Sequence, residues 1–133
     1  MQNGGDNEEM NWSAIGAVFL ALAVGTGAFG AHGLKDRLDA YSLGIWEKAV
    51  FYHFIHAIGL LVVSILPRTG TFSPSAASNV CWLLIAGVLI FSGSLYTLAL
   101  TGVRSLGAIT PIGGLCFIAA WLLLAYYFAA QRA

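Results

Sequence analysis

His32, His53 and His56 are the three imidazoles of this 133-residue chain and its clearest candidates for chemistry. His53 and His56 stand three residues apart. On a helix they lie about 60° from each other and share a face with Trp46, Ala49 and Leu60. Neutral imidazole is the commonest metal ligand, and its proton exchanges near neutral pH. Three uses are open to these rings. His53 with His56 or His32 would hold a metal, a haem or a quinone. The same rings with Tyr52 and Tyr96 would relay protons. Alternatively, the imidazoles bond across helices to Ser, Thr or backbone carbonyls and hold one register. The structural use ranks first, because no carboxylate lies in the apolar stretches to complete a metal shell or couple a cation. Two histidines three apart are also a weak motif, so no cofactor is expected, with haem or a metal bound at His53 and His56 as the minority reading.

Ser92, Ser94, Tyr96, Thr97, Arg104 and Thr110 crowd toward the same end of the chain's apolar segments. An unpartnered polar group in hydrocarbon costs on the order of several kcal/mol, so these groups should face inward and bond one another. The candidate pocket is therefore His32, His53, His56, Tyr52, Ser92, Ser94, Tyr96 and Arg104, opening to one side and lined by the first three spans. No G-x-S-x-G, no phosphate-cradling glycine loop followed by Lys and no H-E-x-x-H occurs, so no catalytic residue is assigned and a non-enzymatic protein is expected. Glu47 and Lys48 read as surface anchors at the mouth of the second span.

What positions these residues is set by where charge is missing. Residues 10–34, 49–67, 69–103 and 105–131 contain no Asp, Glu, Lys or Arg. About 20 helical residues cross a hydrocarbon core roughly 30 Å thick, so each stretch is close to or above spanning length. With 59% hydrophobic and 9% charged residues, the composition lies outside that of soluble domains. Six basic residues balance six acidic ones, and no basic footprint points to nucleic acid. The expectation is an all-α, up-down-up-down four-helix transmembrane bundle forming one domain over 12–130. A polar tail precedes it at 1–11 and a short one comes after it at 131–133.

The spans are expected at about 12–31, 46–66, 74–101 and 111–130. The opening residues lack the positive n-region of a signal peptide, so the first span reads as retained. Between the first two spans, Leu34, Leu38, Tyr41 and Ile45 recur at helical spacing among charged neighbours, which predicts a short amphipathic helix in the interface. Pro67 should stop the second span. Ser73–Pro74 and Thr110–Pro111 each look like an N-cap followed by proline. The third span exceeds the core thickness and should tilt or protrude.

Ala17, Ala21 and Gly25, and beside them Ala23, Gly27 and Ala31, place the first span inside the bundle against more than one neighbour. Trp12, Phe72, Trp82, Tyr126 and Tyr127 should collect at one interface, and Tyr41, Trp46 and Tyr52 at the other. Cys81 and Cys116 begin antiparallel spans, about 15–20 Å apart in depth, and a disulfide is not expected. Lys35, Arg37, Lys48 and Arg104 share one side against Arg68 and Arg132 on the other. By the positive-inside rule both termini then lie outside the cytoplasm, with the protein in the cell membrane.

Four motifs resemble a known family: GAFGAHGL at 27–34, WEKAVFYH at 46–53 with His56 and Ala57 following, FSGSLY at 91–96, and PIGG at 111–114. In this order they are similar to domain of unknown function 423, the small membrane family that includes transmembrane protein 256-like proteins. The resemblance runs from about Trp12 to Phe128. It implies four spans and no assigned activity, and its recurrent polar positions fall on His32, His53, His56, Ser92, Ser94 and Tyr96. The leading functional expectation is association with itself or with a partner membrane complex. The alternatives are a site-bearing pocket and an oligomeric small transporter.

Overall fold

A computed structural model describes residues 10–131. The remainder of the expected polar tails, residues 1–9 and Arg132 with Ala133, lies outside the described residues. Four helical segments are long and apolar enough to cross a membrane: Trp12–Leu34, Ala40–Thr69, Pro74–Thr101 and Arg104–Ala130. They comprise α1 (Trp12–Phe29), α2 (Ala40–Ile65), α3 (Pro74–Gly87), α4 (Gly93–Thr101) and α5 (Thr110–Ala130). A π turn, Gly30–Leu34, extends α1, and another, Val88–Ser92, joins α3 to α4 within the third span.

Local chemistry explains most of the boundaries. Asn11, Asp39 and Ser73 cap α1, α2 and α3 by accepting the backbone N–H of Ala14, Ser42 and Ala76 at 3.1, 2.7 and 3.1 Å. The backbone N–H and hydroxyl of Ser42 hold the exposed Asp39 carboxyl below its ordinary pKa. Past Ile65 the chain tightens into a 3-10 turn through Pro67 and leaves it at Gly70, whose φ is 77°. The third span stops at Gly102, φ 70°, whose N–H reaches the Leu98 carbonyl at 2.8 Å. Thr110 does not cap α5 as expected. Its hydroxyl bonds Ser94 and the Leu106 carbonyl, and the position before it, Ile109, offers no side-chain cap.

The expected interfacial helix is not formed. Residues 35–38 make a turn in which the N–H groups of Arg37 and Leu38 both bond the Leu34 carbonyl, and α2 begins at Ala40 rather than near 46. Leu34 is buried with Trp46 and Ala99, and Leu38 and Ile45 pack on the same cluster, leaving Tyr41 exposed. These apolar residues close the end of the bundle. The second span, 30 residues long, reaches about 45 Å at 1.5 Å per residue and overshoots the core. Its first turns carry Glu47 and Lys48, both exposed, near the interface.

Spans two and three form the centre, and spans one and four flank them. In the most apolar window of each, 39% of residues are buried in the central pair and 17% in the flanking pair. This corrects the expectation that span one lies inside the bundle, though it does touch more than one neighbour. It lies at the edge, packs along span two, and meets span three through Trp12 against Trp82 and Thr26 against Tyr96. Gly16, Ala23 and Gly30 form its buried seam, whereas Ala17, Ala21 and Gly25 are exposed. The second aromatic belt also needs correction: Trp46 is buried, and Tyr52 is half-buried against Phe91 and Phe117. Both cysteines are free.

Glycine lets the spans approach closely at several crossings. A Cβ at Gly16 would meet the Leu61 backbone at 3.1 Å, and one at Gly113 would run into the Phe91 backbone at the π turn. One at Gly25 would meet nothing within 4 Å. Gly113→Val is therefore expected to destabilise the bundle by about 1–3 kcal/mol through overpacking, while Gly25→Ala leaves it unchanged or slightly firmer. Thermal unfolding in detergent, followed by circular dichroism, checks this; equal melting of the two variants would contradict the packing.

Candidate functional site

The eight expected pocket residues separate into groups. His53, buried, points toward spans one and three. Its Nδ1 lies 3.0 Å from the Tyr96 hydroxyl, which lies 3.0 Å from the Thr26 hydroxyl. Thr26 donates to the Ala23 carbonyl of its own helix at 3.1 Å. One proton assignment satisfies every link: Thr26 gives its proton to Ala23 and accepts from Tyr96, and Tyr96 accepts from His53 Nδ1–H. His53 Nε2 is turned to the backbone of Phe19 on span one, short of good hydrogen-bond geometry. It is buried and has no hydrogen-bond partner among the described residues. The Trp46 indole N–H donates to the Thr26 carbonyl at 2.9 Å, and its ring lies 4.5 Å from that of Tyr96.

His56 shares the buried face yet faces span four. Its Nδ1–H donates to the Tyr52 carbonyl one turn back at 2.7 Å. The ring stacks on Phe117 with centroids 3.4 Å apart and planes within 11°, and Trp121 stands 5.9 Å away. The 60° between the two histidines is thus enough to send them to different neighbours.

The serines act through the π turn of span three. Ser92, fully buried, donates to the Ala49 carbonyl across the central pair at 2.8 Å. The Ser94 hydroxyl lies 2.7 Å from that of Thr110 on span four and 3.0 Å from the Phe91 carbonyl. A π turn inserts one residue into the helical repeat, which rotates the helix beyond it by about 100°. The inserted residue therefore governs which helices Ser92, Ser94 and Tyr96 reach.

His32 and Arg104 are exposed and join none of these groups. Among the described residues, no three His, Cys, Asp or Glu side chains gather closely enough to hold a metal ion. None of the eight residues lines either of two cavities in the molecule. One, of about 610 Å³, lies at the opposite end and includes Trp12, Ser64 and Arg68. The other, of about 430 Å³, lies outside spans one and two and includes Gly27, Trp46 and Phe54. His53, His56, Ser92 and Ser94 are buried, and the hydroxyls of Ser92, Ser94 and Tyr96 are each hydrogen-bonded to a neighbouring span.

Thr26 and the indole of Trp46 were not among the expected site residues. A signal existed: Ser13 and Thr26 are the sole hydroxyl residues of span one, and in hydrocarbon a hydroxyl needs a partner. Each finds one on another span, Ser13 through Ser64 at 2.9 Å and Thr26 through Tyr96.

Residues 26–114 match the family described as "Protein of unknown function (DUF423)". The chain is 52% identical over 110 residues to UPF0382 membrane protein SH2409 of Staphylococcus haemolyticus, covering 83% of this chain and 88% of that one. A UPF0382 membrane protein of Staphylococcus epidermidis is 54% identical over the same shares of the two chains. UPF0382 membrane protein YwdK of Bacillus subtilis is 46% identical over 112 residues, 83% of this chain and 89% of that one. No solved structure matches the chain. The family bears no enzymatic name, and its members are called membrane proteins, in keeping with the four spanning-length helices. The chain belongs to the DUF423 family, membrane proteins of unknown function.

Proposed function

We propose that this is a non-enzymatic membrane protein that works by association, first with a second copy of itself, through the outward face of span one. The observation that carries this reading is where the small residues go. Ala14, Ala17, Ala21, Gly25 and Ala28 recur at three- and four-residue spacing and are all exposed, on a helix whose opposite seam already serves the fold. Small residues in lipid matter because they let backbones approach closely. The polar cluster supports the same reading from inside: the hydroxyls of Tyr96, Ser92 and Ser94 are engaged in holding helices together.

Cysteines placed at Ala21 or Gly25, with Cys81 and Cys116 replaced by Ala, are expected to crosslink between copies in native membranes. A cysteine at Leu89, exposed on span three, is expected not to. Ala21→Leu should shift the protein toward monomer in mild detergent. An isolated monomer under both conditions would overturn self-association and leave a partner membrane protein as the associate.

For orientation, we propose the cell membrane with both termini outside the cytoplasm, because Lys35, Arg37, Lys48 and Arg104 share the loop side. A reporter fused after Ala133 should be active outside the cytoplasm and silent within it; the reverse pattern contradicts this arrangement.

One observation favours a second reading. The unpartnered Nε2 of His53 is what a buried ligand or proton path would use, with haem, a metal or a quinone as the ligand classes. Protein purified from membranes would then show an absorption band, stoichiometric metal or an extractable quinone that disappears in His53→Ala and persists in His32→Ala. Clean spectra and elemental analysis would remove this reading. A transporter built from several copies ranks below both, since the cluster holds no carboxylate for coupling.

A further inference from the structure

The geometry points to a phosphate-headgroup site for an anionic lipid in the cavity of about 610 Å³ at the end opposite the histidines. The start of span one, the end of span two and the start of span three enclose it. The Ser13–Ser64 hydroxyl pair, 2.9 Å apart, is part of its lining. Trp12 and Trp82 line it too, their rings edge to face at 5.0 Å, together with the exposed Arg68.

The polar lining is rich in donors. Arg68 brings a guanidinium with five N–H groups and no acceptor. Asn11 uses its side-chain oxygen to cap α1, which leaves its amide N–H groups free to donate outward. Ser75 and Ser78 add hydroxyls. The 14-residue α3 begins here with Pro74 lacking an N–H and Ser73 capping Ala76, so Ser75 N–H remains uncapped at the positive end of the helix dipole. No carboxylate among the described residues lines the cavity.

Two features select a lipid over a free anion. The volume lies within the roughly 300–1,000 Å³ of pockets that enclose whole small molecules. Half of the lining is apolar, from Met10, Trp12, Trp82, Pro67, Pro74 and Ala77, and this half would lie empty around inorganic phosphate. The cavity also sits at the depth where indoles meet headgroups, with Trp82 about half exposed toward the bilayer. A phosphodiester bonded to Arg68, with its glycerol against the indoles, satisfies both halves.

The test is native mass spectrometry of the full chain released from bilayers of phosphatidylcholine and phosphatidylglycerol in equal amounts. Preferential retention of a single phosphatidylglycerol is expected. Arg68→Gln should lower that preference about fivefold, the scale of one basic group at a membrane surface. Arg68→Lys should keep most of it, and Arg104→Gln, at the other end, all of it. Arg68 is exposed, so circular dichroism melts should match across the variants. Equal retention of the two lipids, an unchanged preference in Arg68→Gln, or the same loss in Arg104→Gln would overturn the proposal. Displacement of the lipid by inorganic phosphate at equal concentration would assign the site to free phosphate and overturn the lipid as its occupant.

Discussion

A polar group buried in hydrocarbon has no water to fall back on, and the arrangement of this bundle is a consequence of that constraint. The Tyr96 hydroxyl meets it for two other spans at once, linking His53 on span two to Thr26 on span one. Ser92 bonds a carbonyl of span two, and Ser94 bonds Thr110 of span four. Residues from one short stretch of span three thereby reach each of the other spans. In lipid, apolar surface drives no association between helices, because tails and side chains are equally apolar. These few bonds and the close packing around them decide which helices are neighbours.

Packing completes what the hydrogen bonds begin, and it depends on missing side chains. Phe117 seats against Gly87, Trp121 against Gly59 and Trp46 against Gly30, each ring occupying the place of a Cβ. Ring and glycine lie on different spans in all three pairs, so each interlocks two helices. At Gly113 the tolerance is tightest, because the obstacle is the Phe91 backbone and not the end of a side chain that can turn away. The π turn and this crossing coincide. Widening the helix there carries the Phe91 backbone toward span four while Ser92 stays aimed at span two.

The four spans were legible because a missing charge over 19 or more residues has few other meanings. The shared buried face of Trp46, Ala49, His53, His56 and Leu60 was legible because span two contains enough polar and charged residues to mark its sides. Span one offers no such contrast. Every position is small or apolar over most of its length, so Ala17–Ala21–Gly25 and Gly16–Ala23–Gly30 read equally well as the seam, and only tertiary packing separates them. The π turns leave no mark in residue type. Thr110–Pro111 carried the right local signal for a cap, but the hydroxyl found a stronger use in Ser94 at 2.7 Å. Trp46 and Tyr52 show the same override: an aromatic near a span's end belongs to the headgroup belt only when its side chain faces outward.

The two ends of the molecule solve the polar problem in opposite ways. At the histidine end the buried groups bond one another, and His53 Nε2 is the single buried side-chain nitrogen or oxygen among the described residues without a hydrogen bond. At the other end the Ser13–Ser64 pair lines an open cavity, and the remaining donors face the surroundings. Span one connects the two, with Ser13 at its start and Thr26 near its end, thirteen residues or about 20 Å apart. Its hold on the rest of the bundle runs along span two, through the glycine seam, the Ser13–Ser64 pair and the Trp46 indole on the Thr26 carbonyl, and reaches span three through the Trp12–Trp82 contact and the Thr26–Tyr96 bond. Thr26, near the histidine end, is thereby joined through Tyr96 to His53, so the register of span one and the setting of that imidazole are fixed by the same pair of hydroxyls.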